Sequence, residues 1–277
     1  MNPRDVPRGT FGLETNGATE GMGRTVAVVN QKGGVGKSTT AVNLGACLAL
    51  LGKRVLLVDI DPQGNATTGL GIDKRGIEND SYALLLDEIP ATSAIIATDV
   101  ENLSIIPATA NLAGAEVELV SALARESRLR QALANVVDRY DYIFVDCPPS
   151  LGLLTINALV AADQMIIPIQ AEFYALEGLS QLTAIVKRVK EALNPRLEIL
   201  GVLVTMYDGR TRLAVEVVDE VLRYFPEQVF KTQIPRNIRL SEAPSFGKPV
   251  VLFDVRSRGA QAYLDLAREV AALETVS

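Results

Sequence analysis

NQKGGVGKSTT, running from Asn30 to Thr40, carries lysines at positions 32 and 37 of one glycine-rich loop, where a single lysine is enough to neutralise a bound phosphate. The apolar run TVAVV just before it reads as a strand, and Gly36-Lys37-Ser38 opens a helical pattern. A phosphate-binding loop has the order G-x-x-x-x-G-K-[ST] between a strand and a helix; here Gln31 stands where its first glycine falls. The backbone of Gly33, Gly34, Val35 and Gly36 is then free to close its N–H groups around phosphate oxygens, at the positive end of the helix dipole. Lys37 supplies mobile charge, Ser38 is placed to ligate Mg2+, and Thr39 to bond the α-phosphate. Strand, loop and helix agree, so the stretch is a nucleotide site. Lys32 is left over.

Outward from this loop, short apolar runs rich in β-formers alternate with longer helical patterns. RVLLVDID, LSIIPAT, YIFVDCPPS, QMIIPIQ, ILGVLVTMYD and FKTQIP read as strands. LVSALARESRLRQALANVV and AQAYLDLAREVAALE read as helices. Runs such as VLLVD and YIFVD are apolar at every position, as strands covered on both faces must be. The expected fold is α/β and doubly wound, a mostly parallel sheet flanked by helices on both faces. Residues 1–23, rich in Gly, Thr, Asn and Pro without apolar periodicity, read as a flexible tail, and residues 24–277 as a single domain.

The strand ends supply carboxylates. A phosphate-binding loop needs a second acid to hold the water shell of Mg2+, and Asp146 closes YIFVD in that position. Asp59 and Asp61 fall at the end of RVLLVDID, on one face by strand alternation. Phosphoryl transfer to water asks for a well-aimed acceptor of the water proton, and Asp61, nearer the loop, is the candidate. For Asp59, capping of loop amides is an equal alternative.

Composition narrows the chemistry. With no histidine in 277 residues, histidine bases, Ser/His/Asp triads and histidine-ligated metals are excluded. The two cysteines, Cys47 and Cys147, sit in apolar segments and read as core residues. The N-terminus lacks the charged-then-apolar order of a signal peptide, and no apolar run has the length of a membrane span, so a cytosolic protein is expected. A formal charge of −6 argues against a uniformly basic nucleic-acid binder but leaves room for a local basic patch.

KGGVGKST with its extra lysine, VDIDPQGNAT, and VDCPPSLGLLTINAL together resemble the deviant Walker A ATPases of the ParA/MinD group. QAEFYALEGLSQL, LVTMYDGRT and IPRNIRLSEAPSFGKPV are similar to the chromosomal ParA, or Soj, branch, and the resemblance runs from residue 24 to about 273. It implies an ATP hydrolase that uses Mg2+, with Lys32, Lys37 and Asp61 as its catalytic residues. Lys32 is implied to reach across an ATP-dependent homodimer to the phosphates held by the other subunit, with Gly33 permitting the close approach. Pro235 and Asn237 resemble the adenine-binding turn, and Arg210 and Arg239 match arginines that bind DNA without sequence preference. The implied partners are double-stranded DNA of the nucleoid and a ParB-type centromere-binding protein that stimulates hydrolysis.

A MinD-like, membrane-associated ATPase positioning the division site is the alternative. That class carries a basic amphipathic helix at its C-terminus, whereas AYLDLAREVAALETVS sets one arginine against Asp265, Glu269 and Glu274. Anionic lipid repels such a face, so no membrane partner is expected. An electron-transfer ATPase resembling the nitrogenase iron protein needs interface cysteines, which neither Cys47 nor Cys147 offers.

Overall fold

The computed structural model of the chain describes residues 23–172 and 175–273. The residues read as a tail lie outside them, except Gly23, which is buried against the backbone carbonyls of Val137 and Tyr140. The strands are β1 (Arg24–Val28), β2 (Val55–Asp59), β3 (Ile96–Ala97), β4 (Leu103–Ile106), β5 (Tyr142–Asp146), β6 (Gln164–Gln170) and β7 (Glu198–Thr205). Between and after them run α1 (Lys37–Leu50), α2 (Asn65–Gly69), α3 (Ser81–Leu85), α4 (Ala91–Ala94), α5 (Leu112–Glu118) and α6 (Arg128–Leu133). The series continues with α7 (Leu153–Ala161), α8 (Ala175–Ala192), α9 (Arg212–Tyr224), α10 (Ile238–Glu242), α11 (Val250–Phe253) and α12 (Arg258–Leu273).

The sheet order is β3-β4-β2-β5-β1-β6-β7, parallel throughout except for β3, a two-residue antiparallel edge that the sequence reading did not contain. Alternation along the central strands sends side chains into two separate cores. Val26 and Val28, Val55 and Leu57, and Tyr142 and Phe144 pack beneath α1 and α12. Their neighbours Ala27, Leu56 and Val58, and Ile143 and Val145 pack on the opposite face, against α7 and α8. Strands apolar at every position are thus explained by helices on both sides.

Register then positions the site. β5 lies between β2 and β1, with Asp146 opposite Asp59 on one side and opposite Val28 on the other. The acids at the ends of two strands and the loop at the end of a third meet at one sheet edge, outside the carboxyl ends of the strands, where ligands bind in open α/β sheets.

Two expected elements are corrected. The helix read across LVSALARESRLRQALANVV is broken into 3-10 turns at Leu119–Ser121, Arg125–Ser127 and Val137–Arg139, with only α6 between them. Ala124 adopts φ 53°, and the Asn157 side chain of α7 accepts from Leu129 N at 3.1 Å and donates to Arg125 O at 2.8 Å. A side chain from another helix satisfies backbone groups that a continuous helix bonds within itself. FKTQIP forms no strand; isolated bridges from Val202 to Val229 and from Tyr207 to Pro235 stand at its two ends, and Phe230 N and Ile234 N donate to Val202 O and Val204 O of β7. The Lys231 and Thr232 N–H groups donate instead to the Glu269 carboxylate of α12.

Candidate nucleotide site

The loop between β1 and α1 is tied down before it turns. Asn30 donates through Nδ2 to Pro168 O at 2.8 Å and accepts through Oδ1 from Lys32 N at 3.0 Å. Thr205, at the end of β7, donates to Val35 O at 2.8 Å, so Val35 joins the site through its backbone while its side chain is buried. Gly34 and Gly36 take φ values of 76° and 90°, a region that side chains with a Cβ rarely enter. Gly36 is the N-cap of α1, with no side chain capping the helix and no acid in its first turn. The amides that open α1 are therefore presented to an incoming anion.

The two lysines part company. Lys37 is buried, and its Nζ donates back to Lys32 O at 3.2 Å, inside the curl of the loop. Burial pulls its pKa down, and the negative charges of Asp146 and Asp61 oppose that pull. Lys32 points elsewhere. Its Nζ pairs with Glu172 Oε2 at 2.8 Å on a half-exposed rim, beside a recess lined by Gln31, Pro149, Ser150, Leu151 and Gln181.

Gly33, Gly34, Gly36, Lys37, Ser38, Thr39 and Asp61 share one cavity, as their spacing predicts. Pro235 and Asn237 line an adjoining cleft that shares Gly36 and Thr39 with it. Met206, at φ 50°, borders both, and Lys248 borders the first. These two and Thr205 escaped the sequence reading, since an isolated residue past a strand end or in a loop carries no periodic signal.

Asp146 lies beneath the cavity, fully buried, with neither carboxylate oxygen in a hydrogen bond. Desolvation and then the charge of Asp59 push its pKa well up, while the nearby Ser38 hydroxyl, outside hydrogen-bonding geometry, draws it down. Asp59 is different. It accepts from Thr67 N at 2.9 Å, Thr67 Oγ1 at 2.7 Å and Asp61 N at 3.1 Å, so it caps the loop and holds α2. Asp61 accepts from Gln63 N at 2.9 Å and keeps its face to the cavity.

Three carboxylates against one buried lysine leave the site short of positive charge. An orphaned carboxylate beside a serine hydroxyl fits a divalent cation held partly through water. Among the described residues no group of three or more acidic or thiol ligands forms a protein cage, so the cation fits as a guest of Ser38, Asp146 and a bound phosphate.

The two arginines matched to DNA contacts lie apart from this cavity. Arg210 is 90% exposed and pairs with Asp208 at 2.6 Å. Arg239, on α10, pairs with Glu242 at 2.8 Å and Asp254 at 3.2 Å. Their segments adjoin through the Tyr207–Pro235 bridge and a hydrogen bond from Arg236 N to Tyr207 O at 3.2 Å.

Sheet order, left-handed glycines, buried lysine and strand-end aspartates define a P-loop ATPase with a second lysine in its loop. A family model described as an AAA domain matches residues 23–199. The sporulation initiation inhibitor protein Soj of Bacillus subtilis is 63% identical over 251 residues, covering 91% of this chain and 99% of that protein. The chromosome partitioning protein ParA of Myxococcus xanthus is 54% identical over 92% of this chain and 90% of its own. A crystal structure of cobyrinic acid a,c-diamide synthase from Mycobacterium smegmatis, with bound ADP and magnesium, superposes with a TM-score of 0.79 at 38% identity, over 89% of this chain and 93% of that one. The chain belongs to the ParA/Soj family of chromosome-partitioning ATPases.

Proposed function

We propose that this chain hydrolyses ATP to ADP and phosphate with Mg2+, closes into a sandwich homodimer when ATP is bound, and in that state holds double-stranded DNA of the nucleoid without sequence preference. A ParB-type partner then stimulates hydrolysis and returns the chain to the monomer. The observation that carries this reading is the separation of the two lysines. Lys37 is committed to its own phosphate cavity, whereas Lys32 stands on the rim, held by one exposed carboxylate and available to a neighbour.

An interface crowded with lysines is unfavourable until a triphosphate pairs with them, so ATP drives association and hydrolysis removes the partner. Gly33 supports the same geometry. Among the described residues a Cβ built there meets only Pro149, at 3.8 Å, so none of them demands glycine, and an approaching second subunit does. Mg2+ supplies charge neutralisation on the phosphates, with Ser38 and, through water, Asp146 to hold it; Asp61 aims the attacking water. ADP and magnesium in the Mycobacterium smegmatis structure favour the same ligands here.

The test is retention on DNA of arbitrary sequence, in MgATP and in MgADP, across a salt series, for wild type and Lys32→Ala. Retention of the wild type in MgATP alone, lost in the variant and weakened by salt, is the expected outcome. Equal retention of the variant removes Lys32 from the dimer, and no retention in any state removes DNA.

A further inference from the structure

We propose that the surface formed by α5 and the turn after it, bearing Val117, Val120 and Leu123, docks a basic segment with apolar anchors from a protein partner, and that the docked segment acts on the nucleotide site through Glu116. This rests on the reading above, in which a partner stimulates hydrolysis, and assigns where the stimulus enters.

Val117 is 75% exposed, Val120 60% and Leu123 87%. Single exposed aliphatics are ordinary, but three within seven residues are not. Val117 and Val120 are three apart on continuous helical turns, so they share a face. The surroundings are acidic. Glu116 and Glu118 lie on α5, and the Tyr82 hydroxyl of α3 donates to Glu118 at 3.0 Å, bringing in the end of α3 with Asp87 and Glu88 behind it. Two neighbouring arginines are engaged, Arg125 with Glu126 and Val120 O and Arg128 with Asp87. Apolar anchors in an acidic field select a partner with the opposite charge.

Glu116 links this surface to the site. Its Oε1 is buried without a hydrogen bond, and its carboxylate fills the space over Gly152 where a side chain would stand. Gly152 is the N-cap of α7 and has no side-chain cap, so the dipole attracts Glu116 without fixing it. The loop that Gly152 closes starts at Asp146. Pro149 in that loop lines the nucleotide cavity, and Pro149, Ser150 and Leu151 line the recess beside Lys32. A cation on the docked segment that draws Glu116 away from Gly152 releases this loop at its far end.

The experiment uses the full chain, MgATP, and a fluorescent peptide copying a lysine- and arginine-rich segment with apolar side chains from the ParB-type protein of the same cell; anisotropy reads binding and phosphate release reads turnover. Val120→Glu with Leu123→Glu is expected to weaken peptide binding at least tenfold and abolish stimulation, with basal turnover and DNA retention unchanged. Glu116→Gln is expected to bind the peptide within a few-fold of wild type yet lose most of the stimulation. Equal peptide affinity for wild type and the double variant overturns the docking surface, whatever the turnover. Full stimulation of Glu116→Gln overturns the route through Gly152. A peptide that binds at this surface but leaves wild-type turnover unchanged overturns the stimulated-ATPase reading and spares the surface.

Discussion

At the scale of single residues, the acids at the strand ends do different work because their partners differ. Asp146 is buried without a hydrogen bond, so in the nucleotide-free protein it is a cost to folding. Asp146→Asn, which keeps the shape and removes the buried charge, is expected to stabilise that state at neutral pH and to abolish the further stabilisation by MgATP; thermal melts with and without nucleotide read both. The pH dependence has a definite sign. Burial pushes Asp59 up to about 6 and Asp146 up as well, chiefly by desolvation. For Asp59 the raised folded pKa contributes stability that is fully present below about pH 4, the unfolded value, and lost as pH rises through about 6; for Asp146 the loss with rising pH has the same sign. The nucleotide-free chain is therefore expected to melt lower at pH 7.5 than at pH 5 on account of this pair, with a smaller drop in Asp146→Asn. For Asp61, which faces the cavity with one backbone amide as its hydrogen-bond donor, Asp61→Ala is expected to keep the melting temperature and stop turnover, trapping the ATP dimer on DNA. Normal turnover in that variant takes Asp61 out of the catalytic role. The residues of the loop were legible in the sequence because their chemistry is set by spacing along the chain. The role of Asp59 was half legible: capping stood as an equal alternative, and only the fold decides for it, because the capped groups include those of Thr67, eight residues on.

At the scale of elements, legibility followed what each segment bonds to. The parallel strands were readable because burial on both faces writes itself as an unbroken apolar run, and their helices because apolar residues recur at helical spacing. The segment from Leu119 to Val137 has the composition of a helix yet is broken, since Asn157 supplies a hydrogen-bond partner from another element. Local propensity lost to a tertiary contact whose partner lies 28 residues from Leu129. Asn157→Ala is accordingly expected to destabilise the chain by about 1 to 3 kcal/mol, by leaving the Leu129 amide and the Arg125 carbonyl without partners; denaturant midpoints measure it. The turn at Gly247 is a second case. It has φ 62°, and a Cβ there stands 2.6 Å from Gly71 Cα, so the turn after α10 rests directly on the end of α2. Gly247→Ala is expected to strain that joint and lower the denaturant midpoint, whereas Gly52→Ala, which meets nothing within 4 Å, carries only the cost of its positive φ.

At the scale of the whole molecule, the charge distribution constrains the proposed hold on DNA. The chain carries a formal charge of −6, which disfavours long-range attraction to DNA, so the proposed binding has to come from local cations. Arg210 and Arg239 are the expected contacts, and each is already paired with carboxylates on its own or the adjoining segment. Such exposed pairs are worth about 0 to 1 kcal/mol, so phosphates compete with them, but the exchange leaves each subunit a weak binder. Two subunits on one duplex change the result, because the second patch engages at a high effective concentration once the first is bound. In the proposed cycle DNA residence thereby follows the association state, and through Lys32 the association state follows the nucleotide. Arg239→Glu is expected to abolish retention in MgATP while ATP-driven dimerisation, read by light scattering, is unchanged. The milder Arg239→Gln separates loss of a contact from added repulsion. Removing one phosphate contact per subunit is expected to reduce the slope of log affinity against log salt by about 2 for the dimer, at roughly 0.9 per contact. A slope equal to that of the wild type places the DNA surface away from α10; a reduced slope with dimerisation intact fixes Arg239 as a phosphate contact in both subunits.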